Sequence, residues 1–173
     1  DHYRDDAIRQ AMEHQAQLAL RPGPVRVDVI VDPPWSDGQI NSVQVVTGDR
    51  PFLVDTVASC LLRHGWRVED VRHPIIGVKR DRGTIEAVGM PGRGGCASES
   101  WIHIDATAPL GTDIGQAAEQ LRDDLCACLD QVVCATDDWG AMHEAMLRTA
   151  ELVSASSGPA DDRDSSRELL EWL

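Results

Sequence analysis

A change of hydrophobic period across one short turn constrains this chain more than any other feature. From Ile40 to Thr47 the residues alternate, with Val43 and Val45 on one face, the pattern of a strand with one buried side. Gly48-Asp49-Arg50-Pro51 breaks the alternation. From about 51 to 64 the apolar residues recur at helical steps instead, Leu53, Val57 and Leu61 in one stripe and Val54, Ala58 and Leu62 beside it. Pro51 suits the first helical position, where a missing N–H is no loss, and Gly65 suits the residue just past the helix end. A strand that feeds directly into a one-sided helix must lay helix on sheet.

The flanking segments extend that plan. Ile8, Met12, Gln15 and Ala19 place a helix over 5–20, ended by Pro22-Gly23-Pro24. Val25, Val27, Val29 and Val31 alternate with Arg26, Asp28, Ile30 and Asp32 as a strand. Residues 66–79 read as one long strand, and Asp81-Arg82-Gly83 as a hairpin turn leading back along Thr84–Gly89. After the loop Pro91–Gly95, Trp101–Ala106 forms another strand, with Ile102 and Ile104 opposite Trp101, His103 and Asp105. Asp113 then caps a helix whose apolar side is Ile114, Ala118, Leu121, Leu125 and Leu129. Residues 132–136 fit either the end of that helix or a short strand, and Trp139–Leu152 a further helix. The core order is strand, helix, strand, strand, strand, helix, with an extra strand in front. This predicts an α+β, ferredoxin-like fold: an antiparallel sheet with helices packed on one face, plus flanking N- and C-terminal helices.

The organisation follows from the breaks. Residues 1–24 are a helix and its Pro/Gly stop, 25–136 the α+β core, and 137–153 an additional helix. Residues 154–164 form a Ser/Gly/Pro/Asp linker, and 165–173 open a helix on a Ser165/Glu168 capping box. Leu169, Leu170, Trp172 and Leu173 give that last segment an apolar face with too few turns to stand alone, so the chain is expected to be a fragment of a longer protein.

Composition narrows the function classes. Sixteen basic against 29 acidic side chains give a net charge of −13 over 173 residues. That excess argues against binding a nucleic-acid backbone or an anionic membrane. No apolar run approaches the roughly 18 residues of a membrane span. Five cysteines without framework spacing fit a reduced, cytoplasmic setting and buried, inert thiols.

Most catalytic signatures are missing. There is no G-x-G-x-x-G after a strand and no phosphate loop, and the glycines at 92, 94 and 95 precede a strand instead of a helix. His103 and Asp105 share a strand face and could supply two metal ligands, but a catalytic zinc site needs three; only His73 and His64 could join them, and no metal is expected. Cys60 and His64 stand at i, i+4 without an orienting third group, so no catalytic residue is assigned. What remains is the turn itself. A helix N-terminus offers unpaired N–H groups and a positive dipole end, where a small carboxylate could sit. Asp49 could cap the helix or hold an ammonium group. From spacing alone, a plain strand–helix turn without ligand, with Asp49 as its cap, is the favoured reading.

Here the residues resemble a known family. Gly48-Asp49-Arg50-Pro51-Phe52-Leu53-Val54 is similar to the D-R-P-G-L-L turn of ACT domains, small regulatory modules that bind amino acids. It is closer still to the D-x-P-F-L-V-D-S segment near the N-terminus of the large-class NAD-specific glutamate dehydrogenases of bacteria. Val71-Arg72-His73-Pro74-Ile75-Ile76 with Val78-Lys79-Arg80-Asp81, Glu99-Ser100-Trp101-Ile102-His103-Ile104, Asp138-Trp139 with Met142, and the terminal leucines and Trp172 resemble further segments of that family in the same order.

The resemblance implies an N-terminal ACT-like domain of a cytoplasmic enzyme that oxidises glutamate to 2-oxoglutarate and ammonium. NAD would be the cofactor of that parent, with none in this fragment. It implies contacts to a free amino acid from Asp49, Arg50, Pro51, Phe52 and Leu53, and partnership with the remaining domains of the parent and with further copies in a homo-oligomer. Where the ligand-binding ACT turn has glycine this chain has Phe52, and a side chain there hinders the close backbone approach glycine allows. The resemblance therefore implies an alternative as well, a ligand-free assembly module.

Overall fold

The valine-rich segments pair as strands because their alternation gives one wholly apolar face. The computed structural model describes residues 2–36 and 38–155, with Asp164, Ser165 and Glu168 beyond them. Most of the expected linker over 154–164 and of the helix over 165–173 lies outside the described residues. Two units appear, 1–132 and 133–173.

The elements that begin in the first unit run α1 (His2–Ala19), β1 (Val25–Ile30), β2 (Asn41–Gly48), α2 (Leu53–Arg63), β3 (Arg67–Arg72), β4 (Ile75–Asp81), β5 (Thr84–Gly89), β6 (Ala97–Thr107) and α3 (Ile114–Thr136). The six strands form one sheet in the order β1-β2-β6-β4-β5, with β3 also on β6, and every pairing is antiparallel. This is the α+β architecture the sequence predicts. The alternative left open at 132–136 resolves as helix, and the extra strand β1 pairs with β2 at one edge of the sheet.

The expected long strand over 66–79 is two strands. His73-Pro74 interrupts it, since proline has no N–H for the ladder. Both pieces still pair with β6, β3 along 103–107 and β4 along 97–100, and the Pro74 carbonyl accepts the Trp101 N–H across the gap (3.0 Å). That pairing also explains why β6 starts at Ala97, ahead of the expected Trp101.

One face of the sheet carries the main core. Val27, Val43, Val45, Ile102, Ile104 and Ala106 meet Leu53, Val57 and Leu61 of α2, Trp66, and Leu121, Leu125 and Leu129 of α3. Burying each large apolar side chain contributes about 1.5–3 kcal/mol. Asp113 caps α3 as its position predicts, accepting the Gln116 N–H at 3.1 Å. Gly65 takes φ +73° past the end of α2, and the Gly65 and Trp66 N–H groups return to the Leu62 and Leu61 carbonyls; this is the Schellman closure that glycine permits.

The opposite face is covered as well, by α1. Leu18 and Ala19 pack on Val46, beside Trp101 and Ile85. Helices therefore lie on both faces, where the sequence places the two core helices on one and leaves the flanking helix unassigned. In the second unit, α4 (Trp139–Ser154) matches the expected additional helix.

All five cysteines are free. Only Cys60 is buried and Cys134 is exposed, so the reading of all as buried thiols holds for one of them. Cys126 and Cys128 flank the leucine stripe of α3.

Candidate functional site

The turn between β2 and α2 keeps its ladder one residue past the strand, the Asp49 N–H donating to the Ser98 carbonyl at 2.9 Å. The chain then folds over itself, and Arg50 Nε points back to the Gly48 carbonyl at 3.5 Å. Pro51 does not open the helix. It lies exposed in the turn with Phe52, and α2 begins at Leu53, which is buried in the core.

Phe52 occupies the N-cap position with φ +69° and ψ 4°. This is the left-handed region that glycine enters freely and a bulky side chain enters at a cost of roughly 1–3 kcal/mol. The ring is 56% exposed, so little packing offsets that strain. Phe52→Gly is accordingly expected to stabilise the fold by about 1 kcal/mol, read as a higher urea midpoint; a destabilised variant would mean the ring packs better than its exposure indicates.

No side chain caps α2. Asp49, expected as a cap, turns away and accepts the Ser100 hydroxyl proton at 2.6 Å, while His73 Nε2 meets the same hydroxyl at 2.9 Å. The chain His73–Ser100–Asp49 ties the turn to β6 and to the β3–β4 break. Serine is the middle member and its proton goes to a carboxylate, so no imidazole base stands between the two as nucleophilic catalysis requires. Beneath the turn, the buried Thr47 Oγ1 has no hydrogen-bond partner among the described residues.

A second polar constellation lies between α1 and the sheet, where the sequence pattern gives little warning. Gln44, fully buried on β2, uses its whole amide: Nε2 donates to the Ala11 carbonyl (3.0 Å) and to His103 Nδ1 (3.2 Å), and Oε1 accepts from His14 Nδ1 (2.9 Å). His103 then carries its proton on Nε2, directed at Asp105 Oδ1 (3.0 Å) with Ser42 Oγ beside it (3.2 Å). Arg72 Nη2 reaches Asp105 Oδ2 at 3.1 Å and Asp70 Oδ2 at 2.6 Å. Ser42 and Gln44 are the signal the sequence offered, polar residues alternating with Val43 and Val45, and it did not identify their partners.

The other sequence candidates separate. His64 pairs with Asp124 of α3 at 2.8 Å instead of Cys60, and burial pushes the Cys60 thiol up, away from a thiolate. His73 bonds Ser100 while His103 bonds Asp105, and no group of three potential metal ligands occurs among the described residues.

Two carboxyls in this layer are held below their ordinary range. At Glu99 burial works upward but is outweighed by the two-point bond from Arg80; at Asp105 burial is likewise outweighed, by His103 and Arg72. A carboxyl lower in the folded than in the unfolded chain stabilises the fold above its unfolded value, about 4–4.5, and that stability is lost as pH falls through the folded value. The melting temperature is therefore expected to change little between about pH 7 and 5 and to drop below about pH 4. A melting temperature that holds from pH 5 to 3 would contradict this.

Compared with known protein families, residues 3–125 match the model described as glutamate dehydrogenase, ACT1 domain.

Proposed function

The chain belongs to the glutamate dehydrogenase ACT1 domain family, and on that premise we propose that it is a non-catalytic regulatory module that takes a free amino acid at the 47–53 turn. The observation that carries this reading is the start of α2, an N-terminus with no side-chain cap. Its first N–H groups and dipole suit a carboxylate. Asp49, in the same turn, has one carboxylate oxygen on the Ser100 hydroxyl and would meet the ammonium group with its other, and the buried Thr47 hydroxyl has no partner among the described residues. Phe52 stands where the ligand-binding ACT pattern has glycine, and it takes a left-handed backbone conformation that glycine enters freely.

In this reading the parent enzyme converts glutamate to 2-oxoglutarate and ammonium in the cytoplasm with NAD held by other segments. The glycine-rich loop at 91–95 leads toward strand β6 and not into a helix, so it does not aim a helix N-terminus at a dinucleotide phosphate. The bound amino acid acts by favouring one conformation of the parent over another, which requires unequal affinity for the two.

A second reading, a ligand-free module that joins copies in a homo-oligomer or docks the parent's other domains, is favoured by the exposed edge strand β5, where Val88 and the following Met90 are each 65% exposed. Titration calorimetry and thermal shift with glutamate, aspartate, leucine and other amino acids separate the two. Ligand at about 100 times Kd adds about 2.7 kcal/mol of stability. No heat and no thermal shift at millimolar ligand would leave the assembly reading in possession.

A further inference from the structure

Beneath the N-terminal half of α1 a cleft runs across the second face of the sheet, and it shares no residue with the 47–53 turn. One end, about 210 Å³, is walled by Ile8 and Met12 of α1 against Ile76 and Trp101 of the sheet. The other, about 390 Å³, is bounded by Trp35, Asp70 and Asp105. Ile8, Ala11, Arg72 and His103 line both, so the two ends are neighbours that share those side chains. The larger end falls in the range of small-molecule sites, about 300–1,000 Å³. One end is thus apolar and the other is charged.

The charged end carries both signs. Arg72 lies between Asp70 and Asp105, and both carboxylates bond its Nη2. No hydrogen bond from its Nη1 or Nε is seen among the described residues, so either N–H can donate a single hydrogen bond to an oxygen of an incoming carboxylate. Asp70, half exposed, can take an ammonium group. The two carboxylates outnumber the guanidinium and draw an ammonium group, while the remaining Arg72 N–H groups give a carboxylate its donors, so a molecule bearing both groups uses the whole of this end. Trp35 has a buried Nε1–H with no acceptor among the described residues.

We propose that this cleft is a second small-molecule site, for an α-amino acid with a large aliphatic or aromatic side chain. The zwitterionic head lies on Arg72 and Asp70, and the side chain enters between Met12, Ile76 and Trp101. Because Gln44 and His103 hold Asp105 from below, the head group meets a fixed surface, which lowers the ordering cost of binding. The proposal is independent of the turn and stands whether or not the turn binds a ligand.

The test is a titration of the full 173-residue chain, labelled with ¹⁵N, with L-phenylalanine, with phenethylamine, which lacks the carboxylate, and with 3-phenylpropanoate, which lacks the ammonium. Phenylalanine is expected to move the indole N–H signals of Trp35 and Trp101 saturably, and each truncated probe to bind at least about tenfold more weakly. Arg72→Gln is expected to weaken phenylalanine about tenfold or more. Met12→Glu changes a wall residue of the cleft that is largely exposed on its helix and is expected to weaken it with the spectrum otherwise native. The proposal is overturned by unmoved indole signals at about 10 mM ligand, by shifts confined to residues 47–55, by phenethylamine binding as tightly as phenylalanine, or by folded variants that bind like the wild type.

Discussion

Replacing Glu99 with alanine is expected to destabilise the fold by about 3–5 kcal/mol, the usual cost of removing one member of a buried ion pair. Glu99 sits on β6 with its side chain 9% exposed and takes both prongs of Arg80, Nε to Oε1 at 2.6 Å and Nη2 to Oε2 at 3.0 Å. It also accepts the Trp101 indole N–H at 3.3 Å. Arg80 reaches onward to the Ala19 carbonyl at the end of α1 (3.0 Å) and to the Gly83 carbonyl in the β4–β5 turn (2.9 Å). One carboxylate therefore fixes the guanidinium that joins α1, the hairpin and the central strand. Without it, Arg80 is left partly buried and unpaired, near a second buried cation, Arg26, whose pKa is lowered by burial and by Arg80. Urea unfolding measures the loss; a decrease below about 1 kcal/mol would show that water reaches Arg80 and replaces the pair. Replacing Glu99 and Arg80 together with leucine and methionine is expected to recover most of the loss, since an apolar pair of similar volume leaves no stranded charge.

Trp66→Ala should cost a comparable amount, about 3–5 kcal/mol, through a different mechanism. Trp66 is 1% exposed and is the largest fully buried side chain among the described residues. Its N–H completes the closure of α2 on the Leu61 carbonyl at 2.9 Å, and its ring belongs to the cluster joining α2, α3 and the sheet. Alanine keeps the backbone bond and empties the space, so the loss measures the buried side chain and the cavity it leaves. A melting temperature about 10 °C or more lower is expected. Trp66→Phe should retain more than half of the stability difference; a phenylalanine variant no better than alanine would place the effect in the indole N–H instead of in volume.

Local chemistry in this chain could be read from the sequence because each signal acts within a few residues. The Asp81-Arg82-Gly83 turn required left-handed backbone, and Arg82 and Gly83 take φ 46° and 89°. The Asp113 cap and the stripe Ala118, Leu121, Leu125 and Leu129 follow from helical spacing. Pro74 carried a readable break that the surrounding β-branched run, Val71 to Val78, obscured; a strand pattern on both sides does not reveal that the ladder skips one donor. The layer beneath α1 was out of reach for another reason. Gln44 finds His14 30 residues away and His103 59 away, and a polar residue on an apolar-looking strand does not identify its partner before the topology is known. The candidate turn shows both cases. Its place between strand and helix was legible, but the tie of Asp49 to Ser100, 51 residues on, and the left-handed Phe52 were not, because phenylalanine gives no sequence sign of a conformation glycine favours.

The most direct measurement of whether the start of α2 receives an amino acid is the backbone ¹⁵N spectrum of the chain during titration with a panel of amino acids. Binding at the turn should move the amide signals of Phe52, Leu53 and Val54 saturably with at least one amino acid, and Phe52→Gly should tighten that binding by opening the backbone to closer approach. Amides from Thr47 to Asp55 that stay fixed across the whole panel at about 10 mM, in the wild type and in Phe52→Gly alike, would contradict the account.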